Sequence, residues 1–325
     1  ALKGLGKGAI ESIVAEREAG GPFQDLSEFC QRVDLQRVNR RALEAMIRAG
    51  AMDPLDAEAN RARMLAALDT VLQAAEQSQR DREAGQSDMF GAGGASEAPA
   101  LEIPEVRPWP ELQRLQAEKE ALGLFLTGHP ALVHRPDTRR FTTAPLGRLG
   151  KLVPESDGQR RGRGVDMTLA GLICTVRRAS RRLFVTLEDH TGRMDVALFD
   201  EAYSLYADLL IKDEMVVVEG KVMTDDFSGG YRMTATKVMS LADAKARFAR
   251  GVRIAVQGPC PGFAEELDAA FAPYRSGVGK VYLSYRNSRA RVRLQLGDDW
   301  RINPCEELVA ALGDLPGVTE ARLVY

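Results

Sequence analysis

Up to about residue 82 the apolar positions recur at helical spacing, and from Val165 onward they recur at every second residue. In the first stretch, Ile10, Ile13 and Val14 mark a helix from Gly6 to Glu18, which Gly20-Gly21-Pro22 stops. Asp25, with Glu28 three residues on, is placed to cap a short second helix. Asn39 is placed to cap a third, Arg40 to Arg48, with Leu43 and Ile47 on one face and Gly50 at its end. After Asp53-Pro54 a long helix is predicted from about Glu58 to Arg82, with Met64, Leu65, Leu68, Leu72 and Ala75 as its seam. Trp109-Pro110 introduces a further amphipathic helix, Glu111 to Phe125, ended by Gly128-His129-Pro130.

In the second stretch Val165, Met167 and Leu169 alternate, and the phase then slips at Ala170-Gly171 to Leu172, Cys174 and Val176. That slip predicts a bulge in a strongly coiled strand. Leu183/Val185/Leu187 and Met194/Val196/Leu198 form a hairpin pair around Asp189-His190-Thr191-Gly192. A helical stretch (Ala202 to Leu210) and two strands, Met215 to Met223 and Tyr231 to Val238, follow, the strands joined by the turn Asp225–Gly230. Three strands, a helix and two strands suggest a small five-stranded barrel of oligonucleotide-binding (OB) type. The tail alternates again: strands 252–256, 280–285, 290–296, 300–302 and 318–324, with helices 262–274 and 305–312. The expected fold class is therefore multi-domain α+β, with a helical domain, a β-barrel and a small C-terminal α+β domain.

Composition sharpens the boundaries. At 325 residues and 35.6 kDa the chain is too long for one ordinary core. More than half of residues 84–110 are Ala, Gly, Ser or Pro, too few large side chains to offset ordering entropy, so this segment reads as a flexible linker. The expected domains are 1–83, the linker 84–110, a helix and connector 111–164, the barrel 165–242 and the tail 251–325. The chain opens with neither an initiator Met nor a signal-peptide pattern and reads as a piece of a longer polypeptide. No run of about 18 apolar residues suggests a membrane span. Cys30, Cys174, Cys260 and Cys305 lie far apart, as do His129, His134 and His190, which argues against a zinc site or disulfide framework and fits a reducing cytoplasm.

The formal charge of -2 advertises no overall affinity for polyanions, so any nucleic-acid surface must be a local patch. Three features carry candidate chemistry. Lys3-Gly4-Leu5-Gly6-Lys7 lies just before a helix, where backbone N–H groups and the positive helix end can hold a phosphate, although a tight interhelical turn has the same pattern. Within the linker, Gln86-Ser87-Asp88-Met89-Phe90 strands a Met-Phe pair with no local core to join. It is suited to dock on a partner or to fold back on its own chain. Residues 130–200 hold 13 Lys+Arg against 8 Asp+Glu, and Arg177, Arg178, Arg181 and Arg182 crowd one hairpin tip. Phe184 points away from the Leu183/Val185/Leu187 face, free to stack a base, and Tyr231 and Arg232 open the last strand. A basic groove with a few aromatics suits single-stranded nucleic acid; a solvated hairpin tip is the alternative. The tail balances nine basic against nine acidic residues, which favours protein docking over nucleic acid. Asp225-Asp226 and Asp298-Asp299 read as turn chemistry, there is no P-loop or nucleophile elbow, and no catalytic residue is expected.

Several segments, in collinear order over essentially the whole chain, resemble the C-terminal half of the bacterial replicative DNA polymerase III alpha subunit. They are Leu5-Gly6-Lys7-Gly8-Ala9-Ile10, Gly20-Gly21-Pro22-Phe23, Leu43 to Asp53, and Gly85-Gln86-Ser87-Asp88-Met89-Phe90-Gly91. Glu118-Lys119-Glu120-Ala121-Leu122-Gly123, Thr127-Gly128-His129-Pro130 and Val218-Glu219-Gly220-Lys221-Val222 complete the set. The resemblance implies a tandem helix-hairpin-helix domain whose Gly4, Leu5, Gly6 and Lys7 hold duplex phosphate. It also implies a clamp-binding peptide in which Gln86 and Asp88 accompany Met89 and Phe90, the pair that fills the apolar cleft of the beta sliding clamp. An OB domain near the single-stranded template and a tail docking the tau subunit of the clamp loader complete the implied order. The family's polymerase chemistry, with its Mg2+, belongs to an upstream palm domain, so no cofactor is expected in this chain. An error-prone relative of the same family and a free-standing single-strand-binding protein are the alternatives.

Overall fold

The computed structural model describes residues 2–83, 104–153, 164–179, 182–199, 205–225, 229–258 and 260–325. The chain divides into two compact units, Ala1–His129 and Pro130–Tyr325.

The first unit is helical: α1 (Lys7–Gly20), α2 (Leu26–Arg32), α3 (Arg40–Ala49), α4 (Arg61–Glu83) and α5 (Glu111–Leu122). The caps fall where the sequence placed them. Asp25 accepts the Glu28 N–H at 2.8 Å, Asn39 accepts that of Ala42 at 3.0 Å, and Gly50 closes α3 in the left-handed region. The start of α4 differs, at Arg61 instead of Glu58. The Asp56 carboxylate takes the N–H groups of Glu58 and Asn60, holding those residues in turns, and Asn60 then accepts the Arg63 N–H at 3.1 Å. Val38, Leu43, Ile47, Met52, Val71 and Leu68 fill the core between α2, α3 and α4. Helix α5 packs on α3 within this unit.

A buried ionic clasp holds α5 in place. Glu118, with no exposed surface, accepts the N–H of Leu126 and the N–H and hydroxyl of Thr127 at 2.8–2.9 Å, and it meets the Arg61 guanidinium at 3.0 Å. Arg61 also forks onto Asp53 at 2.7 and 2.8 Å. Burial would raise the Glu118 carboxyl above its ordinary range. The four donors outweigh that and hold it below.

The second unit opens with α6 (Pro130–Thr138) and a 3-10 segment, Leu146–Lys151. Strands β1 (Val165–Ala179), β2 (Arg182–Asp189), β3 (Gly192–Phe199), β4 (Met215–Asp225) and β5 (Gly230–Ser240) close into a barrel in the order β1-β2-β3-β5-β4. Leu146, Leu149 and Val153 plug it from the stretch that sequence read as connector, since three apolar residues without strand period carry no signal of their destination. The bulge in β1 lies at Cys174, between Ile173 and Thr175, and not at Ala170-Gly171. Met167, Leu169 and Ile173 share the barrel core in one unbroken phase, while Leu172 is buried outside it. A second irregularity falls at Glu219/Gly220, where a Cβ on Gly220 would lie 2.2 Å from the Thr234 carbonyl oxygen; only glycine fits there.

Helix α7 (Leu241–Phe248), capped by Ser240, leads into the tail. There β6 (Gly251–Gln257), β7 (Arg275–Arg286), β8 (Arg291–Gln295) and β9 (Val318–Val324) form a sheet in the order β8-β7-β6-β9. Helices α8 (Phe263–Phe271) and α9 (Glu306–Gly313) share a core with it through Leu267, Phe271, Leu308 and Leu312. The expected strand 300–302 is instead a 3-10 turn at Asp298–Trp300 followed by isolated bridges at Ile302. Among the described residues no helix is long and apolar enough to cross a membrane, and no group of three His, Cys, Asp or Glu is placed to hold a metal.

Candidate nucleic-acid interface

At the start of the chain, Gly4 sits at φ +87°, a conformation that Leu5 or Lys3 would hold only with strain. Side chains added at Gly4, Gly6 or Gly8 would meet nothing within 4 Å, so the backbone faces open space. Helix α1 starts immediately behind it. Gly6 supplies no side-chain cap and the first turn holds no acid. Its leading N–H groups are thus left for an external acceptor, with the positive end of the helix behind them. Lys7 is 90% exposed and pairs loosely with Glu11 at 3.5 Å.

On the barrel, strand register builds an outer face in rows across β1, β2 and β3. One row is Arg177, Phe184, Ala197, and the next is Thr175, Thr186, Asp195, with Arg232 of β5 beside Asp195. Ala179, Arg182 and Phe199 form a third. Phe184 is half-buried on this face, as its phase against Leu183 and Val185 requires. Phe199 is 52% exposed and carries the Arg182 guanidinium 5.2 Å from its ring centre. It was not singled out from the sequence, although Met194/Val196/Leu198 facing inward already turns residue 199 outward.

The arginine cluster does not stay together. Arg178 is paired with Leu183 and shares that residue's phase, so it points opposite to Arg177. Arg181 lies outside the described residues. Several of the remaining charges are met by acids on the spot. Arg177 donates to Asp195 at 3.3 Å, Arg193 to Glu188 at 2.7 Å, and Arg232 reaches Asp225 at 3.5 Å. Asp195 also accepts the Thr186 hydroxyl at 2.7 Å, and Thr175 donates to Thr186 at 2.9 Å. Tyr231, expected with Arg232 among the single-strand residues, is turned to the barrel core instead. Residues one apart on a strand face opposite ways, so Tyr231 and Arg232 cannot serve one surface. The proposed docking residues Gln86, Asp88, Met89 and Phe90 lie outside the described residues.

Comparison with known proteins gives three family matches in chain order. Residues 1–64 match a helix-hairpin-helix motif, residues 167–241 an OB-fold nucleic acid binding domain, and residues 266–317 the C-terminal domain of DNA polymerase III subunit alpha. The whole chain is 39% identical to the DNA polymerase III subunit alpha of Vibrio cholerae, where it covers 28% of that protein. It is 39% identical to that of Pseudomonas aeruginosa and 37% identical to that of Escherichia coli, covering 29% and 28% of them. The chain thus spans little more than a quarter of the length of the relatives it matches. About a quarter of it (24%) also aligns with asparaginyl-tRNA synthetase of Pyrococcus horikoshii, at 26% identity over 19% of that chain, with a TM-score of 0.22, too low to carry weight.

Proposed function

Because the chain is homologous over its whole length to bacterial DNA polymerase III alpha subunits and fits a C-terminal portion of them, we propose that it is the tethering part of a replicative polymerase. It would confer processive grip on DNA without bond-making chemistry of its own. The observation that carries the reading is the succession of a helix-hairpin-helix motif, an OB-fold nucleic acid binding domain and a polymerase-specific terminal domain in one chain.

In this reading the uncapped start of α1 behind Gly4-Leu5-Gly6 takes a duplex phosphate, with Lys7 adding charge. Such a contact reads backbone, not base edges, and is indifferent to sequence. Phe184, with Phe199 beside it, offers ring faces to single-stranded template, and Arg177 and Arg182 flank them. Gln86, Asp88, Met89 and Phe90 dock the chain on the beta sliding clamp, while residues 251–325 bind the tau subunit of the clamp loader. Burying Met89 and Phe90 contributes roughly 3–6 kcal/mol before the cost of ordering the segment. The contact is weak alone and effective once the DNA contacts raise its local concentration.

Titration of the chain against a sliding clamp, with and without primed DNA, tests the reading. Met89→Ala with Phe90→Ala should lower clamp affinity at least tenfold and leave DNA affinity unchanged; equal clamp affinity would refute the tether. No nucleotide incorporation on a primed template with magnesium is expected, and measurable extension would contradict the assignment.

A further inference from the structure

The balanced charge of the tail conceals a separation that only strand register reveals. The sheet is covered on one face by α8 and α9, against which Val252, Ile254, Val256, Val281 and Leu283 point. Residues of the opposite phase lie on the other face, and the pairing aligns them. One row is Gln295, Tyr282, Arg253, Arg322; the next is Arg293, Ser284, Ala255, Glu320; a third holds Arg291, Arg286 and Gln257. Lys280, on the same phase of β7, adds a further positive charge. Six of the tail's nine basic residues therefore share this face with a single acid, Glu320, which Arg322 engages at 3.2 Å. Most of the acids lie on the helical layer and its flanking turn, among them Glu265, Glu266, Glu306 and Glu307.

Arg253, Arg286, Arg291 and Arg293 are exposed and form no ion pair among the described residues. The Arg253 guanidinium stands 5.9 Å from the centre of the Tyr282 ring, and a shallow depression opens between them and Ser284, Arg293 and Gln295. Arg291 and Arg293 lie two residues apart on one strand, about 6.8 Å at strand rise. That interval is comparable with successive phosphates of an extended single strand.

We propose that this open sheet face is a second binding surface for single-stranded nucleic acid: Arg286, Arg291 and Arg293 hold consecutive phosphates and the Tyr282–Arg253 pair stacks a base. An open sheet face with an aromatic on its central β7 strand and arginine around it favours an extended strand over an acidic peptide, which has no base to stack. The surface is independent of the barrel face, so the two stand or fall separately.

The test measures binding of a labelled oligo-dT by the full chain across a salt series, in a background carrying Phe184→Ala, Arg177→Ser and Arg182→Ser, so that the barrel contributes least. Adding Arg286→Ser, Arg291→Ser and Arg293→Ser should weaken binding roughly tenfold and flatten the logarithmic salt slope by about 2, three contacts at about 0.7 each. All three side chains are exposed and outside the core, and a thermal melt checks that folding is unchanged. Tyr282→Ala should weaken oligo-dT binding about fivefold or more while leaving polyglutamate binding as it was. An unchanged salt slope, or no binding left in the background chain, overturns the proposal. Polyglutamate bound as tightly as oligo-dT, with Tyr282→Ala altering neither, overturns it too and marks the face as a dock for an acidic protein segment.

Discussion

The barrel and the tail each present an arginine-rich sheet, and the two differ in what meets the arginines. On the barrel, Arg193 and Arg232 each lie against a carboxylate of the neighbouring strand, and Arg177 reaches across β2 to Asp195 of β3. On the tail, Arg253, Arg286, Arg291 and Arg293 have no such partner among the described residues. Density of arginine along a sequence thus says little about available positive charge. A paired guanidinium has spent much of its attraction locally, and an incoming phosphate must displace the carboxylate first. The barrel compensates with two aromatics on its outer face, Phe184 and Phe199, against the tail's single Tyr282. Stacking should weigh more on the barrel and ionic attraction more on the tail.

Four changes break or sharpen that contrast. The largest concerns the joint between the two sheets. Lys245 of α7, with only 8% of its side chain exposed, reaches Asp137 of α6 at 3.1 Å and Glu306 of α9 at 2.5 Å. Burial would lower its pKa, and the bonds to Glu306 and Asp137 outweigh that and hold it raised. Lys245→Ala leaves two half-exposed carboxylates facing each other, at about 2 kcal/mol after allowance for their solvation. Differential scanning calorimetry should show the unfolding of barrel and tail, expected as one transition with Lys245 in place, broaden or split into two components. A single sharp peak at the original temperature would show the sheets joined by other means, such as the stacked rings of Phe141 and Phe248, whose centroids lie 5.1 Å apart.

Next in size is Phe184→Ala, expected to weaken single-strand binding by about fivefold or more with little change in salt slope, the converse of the arginine changes on the tail. Equal loss of slope would put phosphate contacts, not stacking, at the barrel. Asp195→Asn should act in the opposite sense. Freeing Arg177 and removing one negative charge from the face should tighten oligo-dT binding about threefold at low salt, and weaker binding would mean that Asp195 holds Arg177 in its working position.

The smallest effect is one of pH. His134, on α6, is held below its ordinary pKa by burial first and by the Lys245 charge second, with Glu306 and Asp137 pulling the other way. Its folded value lies below the unfolded one, so its contribution is present above the unfolded pKa and is lost as pH falls through the folded value. The melting temperature should drop by a few degrees between about pH 7.5 and about pH 5.5. His134→Gln should flatten that drop, and an identical profile would place the titration elsewhere.

Much of the architecture is legible before any coordinates. Asp25, Asn39 and Gly50 announce helix ends because each satisfies backbone groups within four residues of itself, and such local bonds leave a local mark. The alternation of Leu183, Val185 and Leu187 fixes which way Phe184 faces, for the same reason. Glu118 and Thr127, conspicuous only as parts of a family resemblance, turn out to be two halves of a clasp that also needs Arg61, 57 residues upstream. The plug of Leu146, Leu149 and Val153 and the bulge at Cys174 were likewise out of reach, since both depend on the curvature of a closed barrel.

The chain itself settled its succession of helical, barrel and tail parts and the inward or outward sense of most strand residues, Tyr231 and the β1 residues beyond Gly171 excepted, because backbone geometry repeats over a few residues and side chains follow it. Tertiary structure alone decided which charges stand opposite one another. Asp195 neutralises Arg177 from 18 residues away, and Arg253 lines up with Tyr282 and Arg322 across three strands. Register between strands distant in sequence is set by the packing of the whole sheet, and no local pattern encodes it.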